Sequence, residues 1–240
     1  MATQVFTKIR GYQPRAGDTK LPPLENGDHL SREEFERRYE AMPENIKAEL
    51  INGVVYMSSP VRHRKHGRPH GKMMTWLGTY YAATPGVDFG DNDTLQIDAK
   101  NTPQPDAVLR IEEDCGGRSR VGKDDYLEGA PELIVEIAAS SASYDLHEKL
   151  EIYERNGVQE YLVWRIDDKA IDWFRLRGGK YAKMKADAQG IIKSKVFPGL
   201  WLNVKALLSD DLATVLGNLQ QGIATAEYGA FIQRLAKRKK

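Results

Sequence analysis

Residues 131–164, PELIVEIAASSASYDLHEKLEIYERNGVQEYLVW, decide the fold. Leu133–Ala138 is an apolar run interrupted by one charge, Glu136, and reads as a central strand. A helix follows near 143–155, with Leu146, Leu150 and Tyr153 as its buried stripe, and Gln159–Trp164 resumes as a strand. Strand alternation puts Leu133, Val135 and Ile137 on one face and Ile134, Glu136 and Ala138 on the other, and neither face looks wet. Glu136 therefore needs compensation, because burying an unpaired ionised group costs on the order of several kcal/mol. A metal, a hydrogen-bond network or a cation would supply it, and a plain structural ion pair is the simplest form.

Working outward, Ala170–Leu176 and Lys180–Lys185 read as further strands joined at Gly178-Gly179. Upstream, Thr94–Asp98 and Asp106–Ile111 read as strands, and the polar, Gly-bearing residues 112–129 as a surface loop. Met73, Trp76, Leu77, Tyr80 and Tyr81 recur at helical spacing, which predicts a helix from Pro69 to about Ala83. Asn52-Gly53, set between two apolar runs, predicts a tight hairpin that begins at Glu49. Ser31 and Glu34 form a capping-box pattern for a short helix over 31–41, limited by Pro43. Lys205–Leu219 and Ile223–Leu235 read as two closing helices before a basic end. The expected architecture is a mixed α/β (α+β) domain with one long helix on each side of a central sheet. An irregular arm at 1–29, the domain at 30–208 and a helical extension at 209–240 are the expected divisions.

Composition narrows the function classes. The 240 residues carry 35 Lys+Arg against 34 Asp+Glu, a net charge of +1, which excludes polyanion binding by bulk attraction. A single cysteine, Cys115, rules out an intramolecular disulfide and a multi-cysteine zinc site. The first residues lack the apolar segment of a signal peptide, and no run is long enough to span a membrane, so a cytoplasmic protein is expected. Charge is nevertheless uneven. Leu50 through Val87 contain no acid but carry Arg62, Arg64, Lys65, Arg68 and Lys72; Trp173 through Ser209 contain only Asp187 against eight Lys and Arg. Either stretch could flank a carboxylate site and hold backbone phosphates, or form an ordinary solvated face.

Asp106 opens its strand behind Pro105, where an acid is often turn chemistry alone. Asp145 and Lys149 stand four apart on one helix face. Two acids on strands, Asp106 and Glu136, with Lys149 just beyond, are what metal-assisted phosphodiester hydrolysis needs: hard oxygen ligands for Mg2+ and an ammonium for water or for developing charge. Glu49 adds a third carboxylate if the hairpin folds beside the sheet. His66 and His70 have the spacing of a helical metal pair, which keeps a His-ligated metal hydrolase as a separate class. Because Pro69 falls in the first turn, that pair is not required to share a face.

ELINGVVYMSSP (49–60), a helix opened by His66, PDAVL (105–109) and the quoted 131–164 block occur in an order that resembles the Uma-type restriction-endonuclease family (domain of unknown function 820). That family is a branch of the PD-(D/E)XK nuclease superfamily, and the likeness spans about residues 30–208. It implies a restriction-endonuclease-like core and a cytoplasmic, Mg2+-dependent endonuclease, with Mn2+ as a substitute ion and DNA as the expected nucleic acid. By the same resemblance Asp106, Glu136 and Glu49 are metal ligands and Lys149 activates water or stabilises the transition state; the i,i+4 spacing adds Asp145 as the expected orienting partner of Lys149. His66, Arg62, Arg64, Lys65 and Arg68 are then nucleic-acid contacts, and a homodimer is expected for double-strand cuts. Ala138 stands where many superfamily members keep lysine, and Ala139-Ser140-Ser141 replaces a Ser-Pro-Ser-like turn. A nuclease fold that binds nucleic acid without cleaving it is the alternative.

Overall fold

The computed structural model describes residues 21–43, 45–57, 62–139 and 145–239, with the side chains of Asp145 and Leu146 outside the description. Helix α1 (Arg32–Tyr39) starts at Ser31, whose hydroxyl accepts the Glu34 N–H, and buries Phe35. Strands β1 (Ala48–Ile51) and β2 (Val54–Met57) form the expected hairpin, with Asn52 and Gly53 both at positive φ, 51° and 79°. A wide turn, His63–Gly67, runs into α2 (Arg68–Ala83). Strands β3 (Val87–Asp91), β4 (Leu95–Gln96), β5 (Ala107–Ile111), β6 (Ser119–Val121), β7 (Leu127–Gly129) and β8 (Leu133–Ala138) follow. A second wide turn, Asp145–Lys149, leads into α3 (Leu150–Arg155). Strands β9 (Glu160–Arg165), β10 (Ala170–Arg177), β11 (Lys180–Lys183), β12 (Ile191–Lys193) and β13 (Trp201–Asn203) precede α4 (Val204–Leu208), α5 (Leu212–Ile223) and α6 (Ala226–Arg238).

The main sheet has six strands in the order β11-β10-β9-β8-β5-β3. Only the β8–β9 pair is parallel, and α3 crosses between those two strands, since parallel neighbours cannot be joined by a tight turn. Every residue of β8 is buried. Its two faces divide as the alternation predicts: Leu133, Val135 and Ile137 join a core with Met73, Trp76 and Leu77 of α2, whereas Ile134 and Ala138 join Ile152 and Tyr153 of α3. One helix thus packs on each face, but only α2 is long; α3 has six residues where a helix over about 143–155 was expected. Val215 and Leu219 of α5 and Phe231 and Leu235 of α6 extend the α2 core.

Several expectations are corrected. The strand expected at 94–98 shrinks to β4, which pairs with β7 in a three-stranded side sheet; the neighbour of β5 is β3, within VDFGD. An edge strand with one partner, containing Gly and two Asp, carries little β-propensity to announce it. Residues 112–129 form a short 3-10 turn and strands β6 and β7 rather than only a loop. The helix expected over 205–219 is broken, because Asp210 adopts φ 71° and Asp211 caps a new helix by accepting the Thr214 N–H. Of the irregular arm, residues 1–20 lie outside the described residues. Leu24 is buried, and the segment around Asp28 lies along the hairpin through bonds between Gly27 N–H and the Val55 carbonyl and between Val55 N–H and the Asp28 carbonyl.

Candidate active site

The β5–β8 register pairs Ala107 with Val135 and Val108 with Ile134. The ladder ends there, and Asp106 lies one residue before β5, beside the last residues of the β8 backbone. Asp106 is held by the end of β8, where its Oδ2 accepts the Ile137 N–H at 2.6 Å. Glu136 is buried, and its Oε1 accepts from Lys149 Nζ at 2.9 Å and from the Tyr153 hydroxyl at 3.1 Å. Lys149 and Tyr153 are four residues apart and so lie on one helical face, turned toward the strand.

The hairpin supplies the third carboxylate. Leu50 N–H donates to the Thr102 carbonyl and Thr102 N–H to the Leu50 carbonyl, which docks β1 beside the loop before β5. Glu49 Oε1 then accepts Lys149 Nζ at 2.9 Å and the Gln104 N–H at 2.6 Å. One buried ammonium bridges two carboxylates from distant parts of the chain, and Asp106 is bonded to the backbone one residue past Glu136. Three carboxylates against one ammonium leave negative charge in a largely buried place, so the donor set suits a divalent cation bound through oxygen.

Histidines complete the cluster from the other side. His66 Nε2 lies 2.8 Å from Asp106 Oδ1. His70 Nε2 lies 2.9 Å from the Asp106 carbonyl oxygen and 3.1 Å from Asp91 Oδ1; both are acceptors, so this nitrogen carries the proton. The two rings stack, with centroids 5.6 Å apart and planes at 22°. The pair does share a face, because the wide turn continues into α2 despite Pro69.

The structure therefore joins Glu49, Lys149 and Glu136 directly and Asp106 to His66, the two sets being linked through the Ile137 N–H next to Glu136. The Asp145 side chain, expected to orient Lys149, lies outside the described residues. The basic cluster is partly neutralised: Lys65 pairs with Asp167 at 3.0 Å, and Arg68 and Lys72 both reach Asp210. Arg62 and Arg64 are exposed, and no ion pair engages them among the described residues. Arg175, Arg177 and Lys195 of the second acid-poor stretch line a separate cleft. Strand alternation places Arg175 and Arg177 on the Trp173 face, which packs on α2, whereas Lys180 reaches the α3 side and pairs with Glu154 at 2.8 Å.

Sequence reasoning missed Tyr153 as a partner of Glu136, His70 and Asp91 as supports of His66 and Asp106, and Gln104 as a donor to Glu49. Tyr153 carried a signal in its spacing of four from Lys149, and His70 in its spacing of four from His66. Among the described residues, Glu112, Asp114 and Cys115 bring their metal-ligand atoms within 4.8 Å of one another. Burial pushes the Cys115 thiol up, which disfavours the thiolate a metal would need.

Against known proteins, the profile of the Uma2 family, described as "Putative restriction endonuclease", matches residues 32–205. The chain belongs to that family of restriction-endonuclease-like proteins. Among solved structures it is similar to the crystal structure of a putative nuclease belonging to DUF820 from Anabaena variabilis. That match has a TM-score of 0.54 and 12% identity and covers 72% of this chain and 96% of the other, a likeness of fold. No curated protein matches the chain.

Proposed function

We propose that the chain is a metal-dependent endonuclease that hydrolyses phosphodiester bonds of nucleic acid, with DNA as the substrate. The observation that carries this reading is Lys149, held at 2.9 Å from both Glu49 and Glu136 beside the strand end that presents Asp106. Asp106, Glu136 and Glu49 would hold the divalent ion, Mg2+ or Mn2+. When bound, such an ion polarises the phosphoryl oxygen and lowers the pKa of a coordinated water.

The protein's own groups do the rest. Lys149 positions water or offsets charge on the phosphoryl oxygens, and Tyr153 and Gln104 fix the carboxylates through the hydrogen bonds described. The missing lysine at Ala138 is replaced in space by an ammonium from α3's entry turn, which reaches the same Glu136. Exposed Arg62 and Arg64 are the phosphate contacts of this reading, and a homodimer would place a second site against the opposite strand.

Plasmid nicking with Mg2+ or Mn2+ tests the reading. Cleavage should fall at least about a hundredfold in Asp106→Ala, Glu136→Ala and Lys149→Ala. Undiminished metal-dependent cleavage in Asp106→Ala and Lys149→Ala would remove these residues from the site. Salt-sensitive DNA binding without cleavage by the native chain would identify a binding module instead.

A further inference from the structure

We infer that His66 is a ligand of the divalent ion and makes the site select Mn2+ over Mg2+, an inference that rests on the metal-dependent reading above. The two oxygens of Asp106 are not equivalent. Oδ2 is engaged by the Ile137 N–H, and Oδ1 is the oxygen that meets His66 Nε2, 2.8 Å away. Two ligands bound side by side on an octahedral ion with bonds near 2.1 Å lie about 3 Å apart. The separation of these two atoms thus suits adjacent ligands of one ion, which would sit to the side of their line once the shared proton is lost and the imidazole and carboxylate turn toward it.

The imidazole is also held for this role. His66 sits in the wide turn that opens α2, and such turns re-aim side chains out of ordinary helical register. Its ring lies on His70, which is itself tied to the Asp106 carbonyl oxygen and to Asp91. His70 is a positioning residue in this arrangement. The His66 side chain is 26% exposed, against 5% for Lys149 and for Glu136, so the histidine edge is where an ion can enter.

Ion identity follows from the donors. Mg2+ is held by oxygen and water, whereas imidazole nitrogen favours first-row transition ions. A carboxylate set with one imidazole suits Mn2+, which accepts both donor types.

The test uses the full chain without nucleic acid. Calorimetric titration with Mn2+ and with Mg2+ gives the two affinities, and pulsed electron paramagnetic resonance of the Mn2+ complex reads directly bound nitrogen. The native chain should show nitrogen coupling and the higher affinity for Mn2+. His66→Ala and His66→Gln should lose that coupling and weaken Mn2+ binding about tenfold or more, while Mg2+ affinity changes less than about threefold. Circular dichroism confirms that both variants fold; Gln keeps a polar contact with Asp106 if Ala does not. Mn2+ bound without nitrogen coupling, or an unchanged Mn2+/Mg2+ ratio in the variants, would overturn the role of His66 and leave the carboxylate site standing. Failure of the native chain to bind either ion would overturn both readings together.

Discussion

Glu136 and Glu160 are both buried carboxylates on the main sheet, and their surroundings give them different tasks. Glu136 faces α3 and meets an ammonium and a phenol. Glu160 faces the opposite side, where the Ser194 hydroxyl donates at 2.8 Å and the Lys195 N–H at 2.7 Å, tying β9 to the segment after β12. Burial outweighs these bonds and pushes the Glu160 carboxyl from 4.5 up to about 7. The folded chain therefore keeps a proton in this window that the unfolded chain has released. Stability from that proton is fully present below 4.5 and is lost as pH rises through about 7, a change of roughly 3 kcal/mol. Urea denaturation at a series of pH values should show this fall, and Glu160→Gln should flatten it. An equally steep slope in the variant would assign the pH dependence to other groups.

At the scale of elements, the β1–β2 hairpin is the device that delivers Glu49. Asn52 and Gly53 must both sit at positive φ, and a Cβ on Gly53 would meet the Leu30 carbonyl oxygen at 3.3 Å. Gly53→Ala should cost about 1 kcal/mol or more in denaturant unfolding and should lower nicking activity by loosening Glu49 from Lys149. Native activity in a destabilised Gly53→Ala chain would show that Glu49 is not needed for turnover. The hairpin, α2, β8, α3 and β9 were legible because each carries its own period or turn chemistry. Strand β3, the side sheet and β12–β13 were not, since they are short and owe their existence to a partner strand. The break between α4 and α5 was also hidden, because apolar spacing continues past the residues where Asp211 restarts the helix.

For the whole molecule, the closing helices belong to the main core. Val215, Leu219, Phe231 and Leu235 are buried with α2, and each contributes about 1.5–3 kcal/mol of burial. Their sum is comparable to the whole stability of an ordinary domain. A chain ending at residue 208 should therefore be insoluble or lack near-ultraviolet circular dichroism. A soluble, cooperatively unfolding product would show that the domain at 30–208 stands alone. No described helix is long and apolar enough to cross a membrane.

The net charge of +1 excluded bulk attraction to polyanions, and the assembled chain shows how local its charges are. Lys65, Arg68 and Lys72 come from an acid-free stretch, yet Asp167 and Asp210 pair with them, and so partly neutralise them, across more than a hundred residues. By itself the sequence determined the strand–helix–strand unit, the face on which Glu136 lies and the residue types available for metal chemistry, because periodicity and turn preference are local properties. Tertiary structure alone decided that Asp106 meets the Ile137 N–H at the end of β8, that one lysine bridges Glu49 and Glu136, and that His66 rests on Asp106. Those meetings depend on strand register and hairpin docking, where residues far apart in the chain are selected by backbone hydrogen bonds and shared burial.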